Sequence, residues 1–182
     1  MFPKTRVILD ATEIPVQRPS DCNAQRITFS TYKHRNTAKA MIGVTPCGVV
    51  SYVSSSYGGS ASDRQIIERS VLVDTDRSMF DEEDSIMADR GILVQDLFAA
   101  MDVQVNVPTT MRGLNQLDAE TVVRDRRIAS KRIHIERVIG YAKSFKILQR
   151  PIPKGKLALA GRIINVCFLL TNSRNSIVGE NA

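Results

Sequence analysis

Two spacings of apolar residues alternate along the 182-residue chain and divide it into elements. Short apolar runs bounded by turn residues predict strands, and recurrence every three to four positions predicts helices. Arg6–Ile14 is the first predicted strand, followed by a polar, loop-like Pro15–Asn23; Arg26–His34 alternates only loosely. Ala38–Gly59 reads as two strands around a turn at Pro46-Cys47-Gly48, a hairpin. "SASDRQIIERSVLV" predicts a helix capped near Ser62–Asp63. The acidic "DTDRSMFDEED" is a turn-rich connection, "SIMADRG" a short strand ending in a charged turn, and "LVQDLFAAM" a short helix. "VQVNVP" alternates as a strand and stops at Pro108.

A long helix follows, with Asp118 as its cap and Glu120 in its positive first turn. Ile128, Ile135, Val138, Ile139, Ala142 and Phe145 fall at helical spacing and form its predicted core stripe. Gly140 invites close packing or close backbone approach. A last helix is predicted around Leu157–Leu170, ahead of a frayed ten-residue tail. The order is βββ-α-β-α-β-α, an α/β fold in which a hairpin-linked sheet gives way to alternating units. One domain covers residues 1–172, and 173–182 are the tail.

Charge changes this picture more than composition does. Hydrophobic content of 43% and charged content of 24% are ordinary for a globular chain. The net charge of +6 is unevenly spread: Arg112–Arg162 holds 13 Lys/Arg against 4 Asp/Glu, or +9, which leaves −3 for the remainder. A basic C-terminal third is a footprint for phosphate, or else a solvated basic face. No apolar run approaches a membrane span and no signal peptide is recognisable. Cys22, Cys47 and Cys167 match neither a zinc spacing nor a disulfide framework, which favours a reducing, intracellular setting.

Three acids stand out by position. Asp10 interrupts the first strand, Asp89 ends "SIMAD", and Glu136 borders the buried stripe of the basic helix "RRIASKRIHIERVIG". A buried, unpaired carboxylate costs several kcal/mol. Acids at strand ends, joined by one from a packed helix, can converge where open α/β sheets hold ligands. Such a set needs a counter-charge, and Mg²⁺ or Mn²⁺ suits an all-oxygen site. Each acid also has an ordinary reading: Asp10 bonded to a loop, Asp89 capping a turn or pairing with Arg90, Glu136 pairing with Arg132 or Arg137.

The arrangement resembles the RNase H-like catalytic domain of DDE transposases, a mixed sheet flanked by helices. "VILDATEI", "YKHRNTAKAMIGVTPCG", "GGSASDRQI", "SIMADRGI" and "RRIASKRIHIERVIG" look like successive motifs of the DDE superfamily endonucleases, the Harbinger-type transposases and their relatives, from about Lys4 to Asn172. The resemblance implies catalytic, metal-binding roles for Asp10, Asp89 and Glu136, which would hold a divalent metal, Mg²⁺ or Mn²⁺, as two ions. It implies capping or site support for Asp63, and cleavage of DNA phosphodiesters followed by strand transfer. Arg126, Arg127, Lys131, Arg132, Arg137, Lys143 and Lys146 would contact the phosphates of double-stranded DNA, here the transposon ends, with Lys33, His34 and Arg35 as weaker candidates. It further implies nuclear action, a Myb-like DNA-binding partner protein, and room for a homo-oligomer. With Asp10 so soon after Met1, the family's N-terminal helix-turn-helix region is expected to be absent. The alternative is a domesticated, non-catalytic DNA- or partner-binding module on the same fold.

Overall fold

The computed structural model describes residues 2–77, 79–81, 83–109 and 118–174. Its centre is β1 (Thr5–Pro15), which pairs antiparallel with β3 (Arg35–Val44) on one side and parallel with β6 (Ser85–Ala88) on the other. The ordered path through the sheet is β2 (Phe29–Ser30), β3, β1, β6, β7 (Gln104–Asn106), while β4 (Val50–Val53) and β5 (Tyr57–Gly58) both pair with β3. The sheet is mixed, as expected, and compatible with an RNase H-like DDE fold.

Strand periodicity sorts β1 into two cores. Ile8 and Ile14 face one side, with Val138 and Ala142 of α4 (Ala119–Lys143) and Ile164 and Phe168 of α6 (Ala160–Thr171). Val7 and Leu9 face the other, with Ile66 and Ile67 of α2 (Asp63–Glu68) and Phe98 of α3 (Gln95–Ala99). The predicted α4 stripe holds: Ile128, Ile135, Val138 and Ala142 are buried, with Ile139 and Phe145 partly buried against them. Asp118 caps this helix by accepting from the Thr121 N–H at 2.8 Å. His134 is buried as well, its Nδ1 without a hydrogen-bond partner.

Several expectations need correction. Cys22–Thr28, expected as loop and loose alternation, is a helix, α1, capped by Asp21. It buries no residue fully, so it lacks the apolar stripe that would reveal it. The helix predicted over Ser60–Val73 is shorter. Ser62 and Gln65 form a capping box that starts α2, and the Ser70 hydroxyl donates to the Ile67 carbonyl and accepts from the Leu72 N–H, ending it. The last helix is α6, preceded by a 3₁₀ turn over Lys154–Leu159 and by a short α5 (Lys146–Gln149). A Cβ on Gly140 would meet nothing within 4 Å, so close packing is not its role. Most of the predicted tail lies outside the described residues.

Gly48 and Gly59 are each required, for different reasons. Gly48 closes the β3–β4 turn at φ 84°, a backbone region that side chains disfavour. Gly59 lies so close to α1 and β3 that a Cβ would sit 2.1 Å from Thr37 Oγ1 and 2.8 Å from the Thr28 carbonyl oxygen. The "GG" before α2 is therefore a packing requirement that seats α2 against the sheet. Gly59→Ala is expected to destabilise the fold by about 1–3 kcal/mol through overpacking, read as a lower midpoint in urea with an unchanged slope.

Candidate active site

Two strands reach their acids at the same level. The parallel pairing of β1 with β6 runs through Ile8↔Met87 and Leu9↔Ala88, and the next residues are Asp10 and Asp89. Neighbouring strands lie about 4.8 Å apart, so side chains at matching positions share one environment. Asp10 has the pleat parity of Ile8, and Asp89 that of Met87, both on the α4 side.

The carboxyl of Asp10 is pushed up to about 6. Burial is the main cause; the Arg132 guanidinium and the Ala11 N–H, 2.8 Å from Oδ1, oppose it, while Asp89 and Asp63 push it further up. Asp89 accepts from the Arg90 N–H at 2.7 Å, and its backbone carbonyl accepts from Ile92, fixing the charged turn. Arg132 Nη1 lies 3.0 Å from Asp89 Oδ1, with the arginine side chain only 14% exposed. Among the described residues its buried Nε has no hydrogen-bond partner. Arg132 is thus an internal counter-charge to two acids.

Glu136 shares that flank of α4. At 100° per residue it lies about 40° from Arg132 and about 20° from Lys143 around the helix axis. It is nevertheless exposed, and among the described residues no group of three or more His, Cys, Asp or Glu side chains is close enough to hold one ion. The donor chemistry fits a hard divalent cation at Asp10 and Asp89, where oxygen ligands meet a shortage of positive charge. Glu136 is on the right side of the helix and outside that pair.

Asp63 is not the α2 cap, which is Ser62. It lies 2.7 Å from Lys39 Nζ in a largely buried ion pair, although Oδ1 receives no well-directed hydrogen bond. Lys39 also donates to the Ala61 carbonyl. Asp63 lies on the opposite face of the sheet, and its charge contributes to raising the Asp10 carboxyl.

The predicted DNA-contacting residues separate into groups. Lys143 stands beside the acids: burial and the charges of Lys33 and Arg35 hold its ammonium below the usual lysine range, while Asp10 and Glu13 pull the other way. Arg132 is committed to Asp89. Arg126 and Arg137 are exposed and lie opposite the core stripe. Arg127 lines a cavity of about 980 Å³ at the α4 N-terminus, and Lys146 lines a groove beside α5. Lys131 and Arg137 neighbour His134, which burial and those two cations hold below the usual histidine range. That cavity at the α4 N-terminus is lined by neither Asp10 nor Asp89.

One supporting residue escaped notice in the sequence. Arg64 grips Asp96 through both terminal nitrogens, at 2.7 and 2.6 Å, and donates to the Leu93 carbonyl at 2.9 Å. It clamps the chain that leaves Asp89. It stands inside "SDRQ", but nothing local distinguishes it from a surface arginine.

A mixed sheet whose parallel strands bring two acids to one level, covered by a basic helix, defines an α/β domain of the acid-centred type. The chain belongs to the DDE superfamily endonucleases, whose family model matches residues 9–172. No curated protein matches it. No helix among the described residues is long and apolar enough to cross a membrane.

Ionising Asp10 opposes folding, because its folded value of about 6 lies above the ordinary 3.8. The unfolded chain loses this proton first, so the cost develops as pH rises from about 4 to about 6 and is constant above. With divalent ions chelated, Asp10→Asn is expected to be more stable than the parent at pH 7.5 by about 1–3 kcal/mol, with the difference shrinking towards pH 4. Urea titrations across that range check the sign.

Proposed function

We propose that this chain is a metal-dependent DNA endonuclease domain of transposon origin, cutting phosphodiesters and transferring the freed 3′ end. The observation that carries the reading is the charge shortage at Asp10, a partly buried carboxylate raised by desolvation and by two neighbouring acids. Asp10, Asp89 and Glu136 are the proposed ligands of Mg²⁺ or Mn²⁺, with an inward movement of Glu136 completing the set. When bound, the metal supplies charge that activates the attacking oxygen and stabilises the leaving one.

The chain's own residues do the rest. Asp10 and Asp89 hold their oxygens on rigid strands at one level. Lys143, with Lys33 and Arg35, presents positive charge to a phosphate beside them. Arg132 offsets the acids while no other cation does so, and Arg64 keeps the Asp89 turn in place. Duplex DNA, namely transposon ends, is the proposed substrate. Nuclear action, a Myb-like partner and self-association come with the family resemblance.

A second reading has its own observation. Arg132 already balances Asp89, and Glu136 stands apart, as expected of a non-catalytic DNA-binding module. A Mn²⁺ titration followed by thermal shift separates the two. The nuclease reading expects Mn²⁺ to raise the melting point of the parent but not of Asp10→Asn or Asp89→Asn. It also expects Glu136→Gln to lose Mn²⁺-dependent nicking of duplex DNA by at least about 100-fold. Equal metal responses in all variants, with salt-sensitive DNA binding that survives Asp89→Asn, would establish the second reading.

A further inference from the structure

The segment Lys146–Thr171 contains five lysines and arginines and no acid. It forms α5, the 3₁₀ turn and α6, and α6 is apolar on two faces instead of one. Ala160, Ile164, Cys167, Phe168 and Thr171 are buried in the core. Along a second face Leu159, Ile163, Val166 and Leu170 follow each other at spacings of four, three and four, with Ile163 partly buried against the core and the other three exposed. That is the seam by which one helix receives another. Leu159 is 44% exposed, Val166 54% and Leu170 49%.

Beside this seam lies a groove of about 530 Å³. Pro151, Ile152, Pro153 and Ile163 supply apolar walls, and Lys146, Arg150 and Lys156 stand among them. Arg162 lines the groove on the other side of α6. Among the described residues none of these four cations has a carboxylate partner. The surface therefore offers apolar anchor positions between two unpaired basic margins.

From this we infer a docking site for an acidic amphipathic helix of another protein. Its apolar residues would lie along Leu159–Leu170 with one entering the groove, and its carboxylates would meet Lys146, Arg150, Lys156 and Arg162. Charge complementarity selects this occupant. A second copy of the chain would bring the same cations face to face, with no acid in the segment to meet them. Duplex DNA would satisfy the cations and leave the leucine and valine side chains in water. The surface is separate from the acids: the groove adjoins Val16–Ile152 at the far end of β1, several residues beyond Asp10.

The test uses a fluorescein-labelled helical peptide with leucines at heptad a and d positions and glutamates beside them. Its binding to the full chain is followed by anisotropy at near-physiological salt, against a scrambled peptide of equal composition. Saturable binding of the patterned peptide, weakened about tenfold or more by Val166→Glu and by Lys156→Glu, is expected. Circular dichroism confirms folding, and Lys156→Glu, an exposed change, stands alone if Val166→Glu does not fold. Equal binding of the scrambled peptide, or no binding, would overturn the proposal. So would displacement by short duplex DNA, which would assign the surface to nucleic acid. A dimer of the parent chain that Val166→Glu dissociates would assign it to self-association instead.

Discussion

The charge balance around Asp10 is the constraint on which the rest of this structure depends. A carboxylate in the central strand must be kept from water by the core that stabilises the sheet, and that core makes its charge costly. The protein answers with Arg132, delivered from α4 and partly buried itself, and with an N–H from the adjacent backbone. The answer is incomplete, since the carboxyl still rises to about 6. This shortage of positive charge is the feature on which the proposed metal binding rests, and it also opposes the fold.

The sheet converts a sequence coincidence into geometry. Asp10 and Asp89 are remote in the chain and each ends a run of apolar residues. Parallel pairing through Leu9 and Ala88 places them side by side without any turn or loop having to be precise. Lys39–Asp63 and Arg64–Asp96 then brace this edge from the other face, one against β3 and one against the chain after Asp89. The acids are held by regular structure and the braces by its first turns, so the open face in front of them remains free.

Much of this was legible in the sequence, for reasons that differ by element. β1, β6, the α4 stripe and the Asp118 cap follow from apolar spacing and capping chemistry, and the two strand acids follow from their position inside apolar runs. α1 was hidden because it buries nothing fully, and α2 was overextended because Ser70 ends it through hydrogen bonds that spacing does not reveal. The commitment of Arg132 to an acid, instead of to phosphate, depends on which flank of α4 faces the sheet. Helical geometry puts Glu136 on the same flank as Arg132, yet its side chain is exposed. Its separation from the two aspartates depends on how closely helix and sheet approach, which no local pattern encodes.

The double pairing of β1 also orders the assembly of the molecule. Its antiparallel partner β3 lies about 30 residues away, whereas its parallel partner β6 lies about 80 residues away, so the second closure costs more chain entropy. The β1–β3–β4 meander can therefore assemble first from near neighbours, while β6 and α4 join later. The packing that completes both sides of β1 is also what desolvates Asp10, so the edge carrying the two acids and the cost of ionising one of them have a single structural origin.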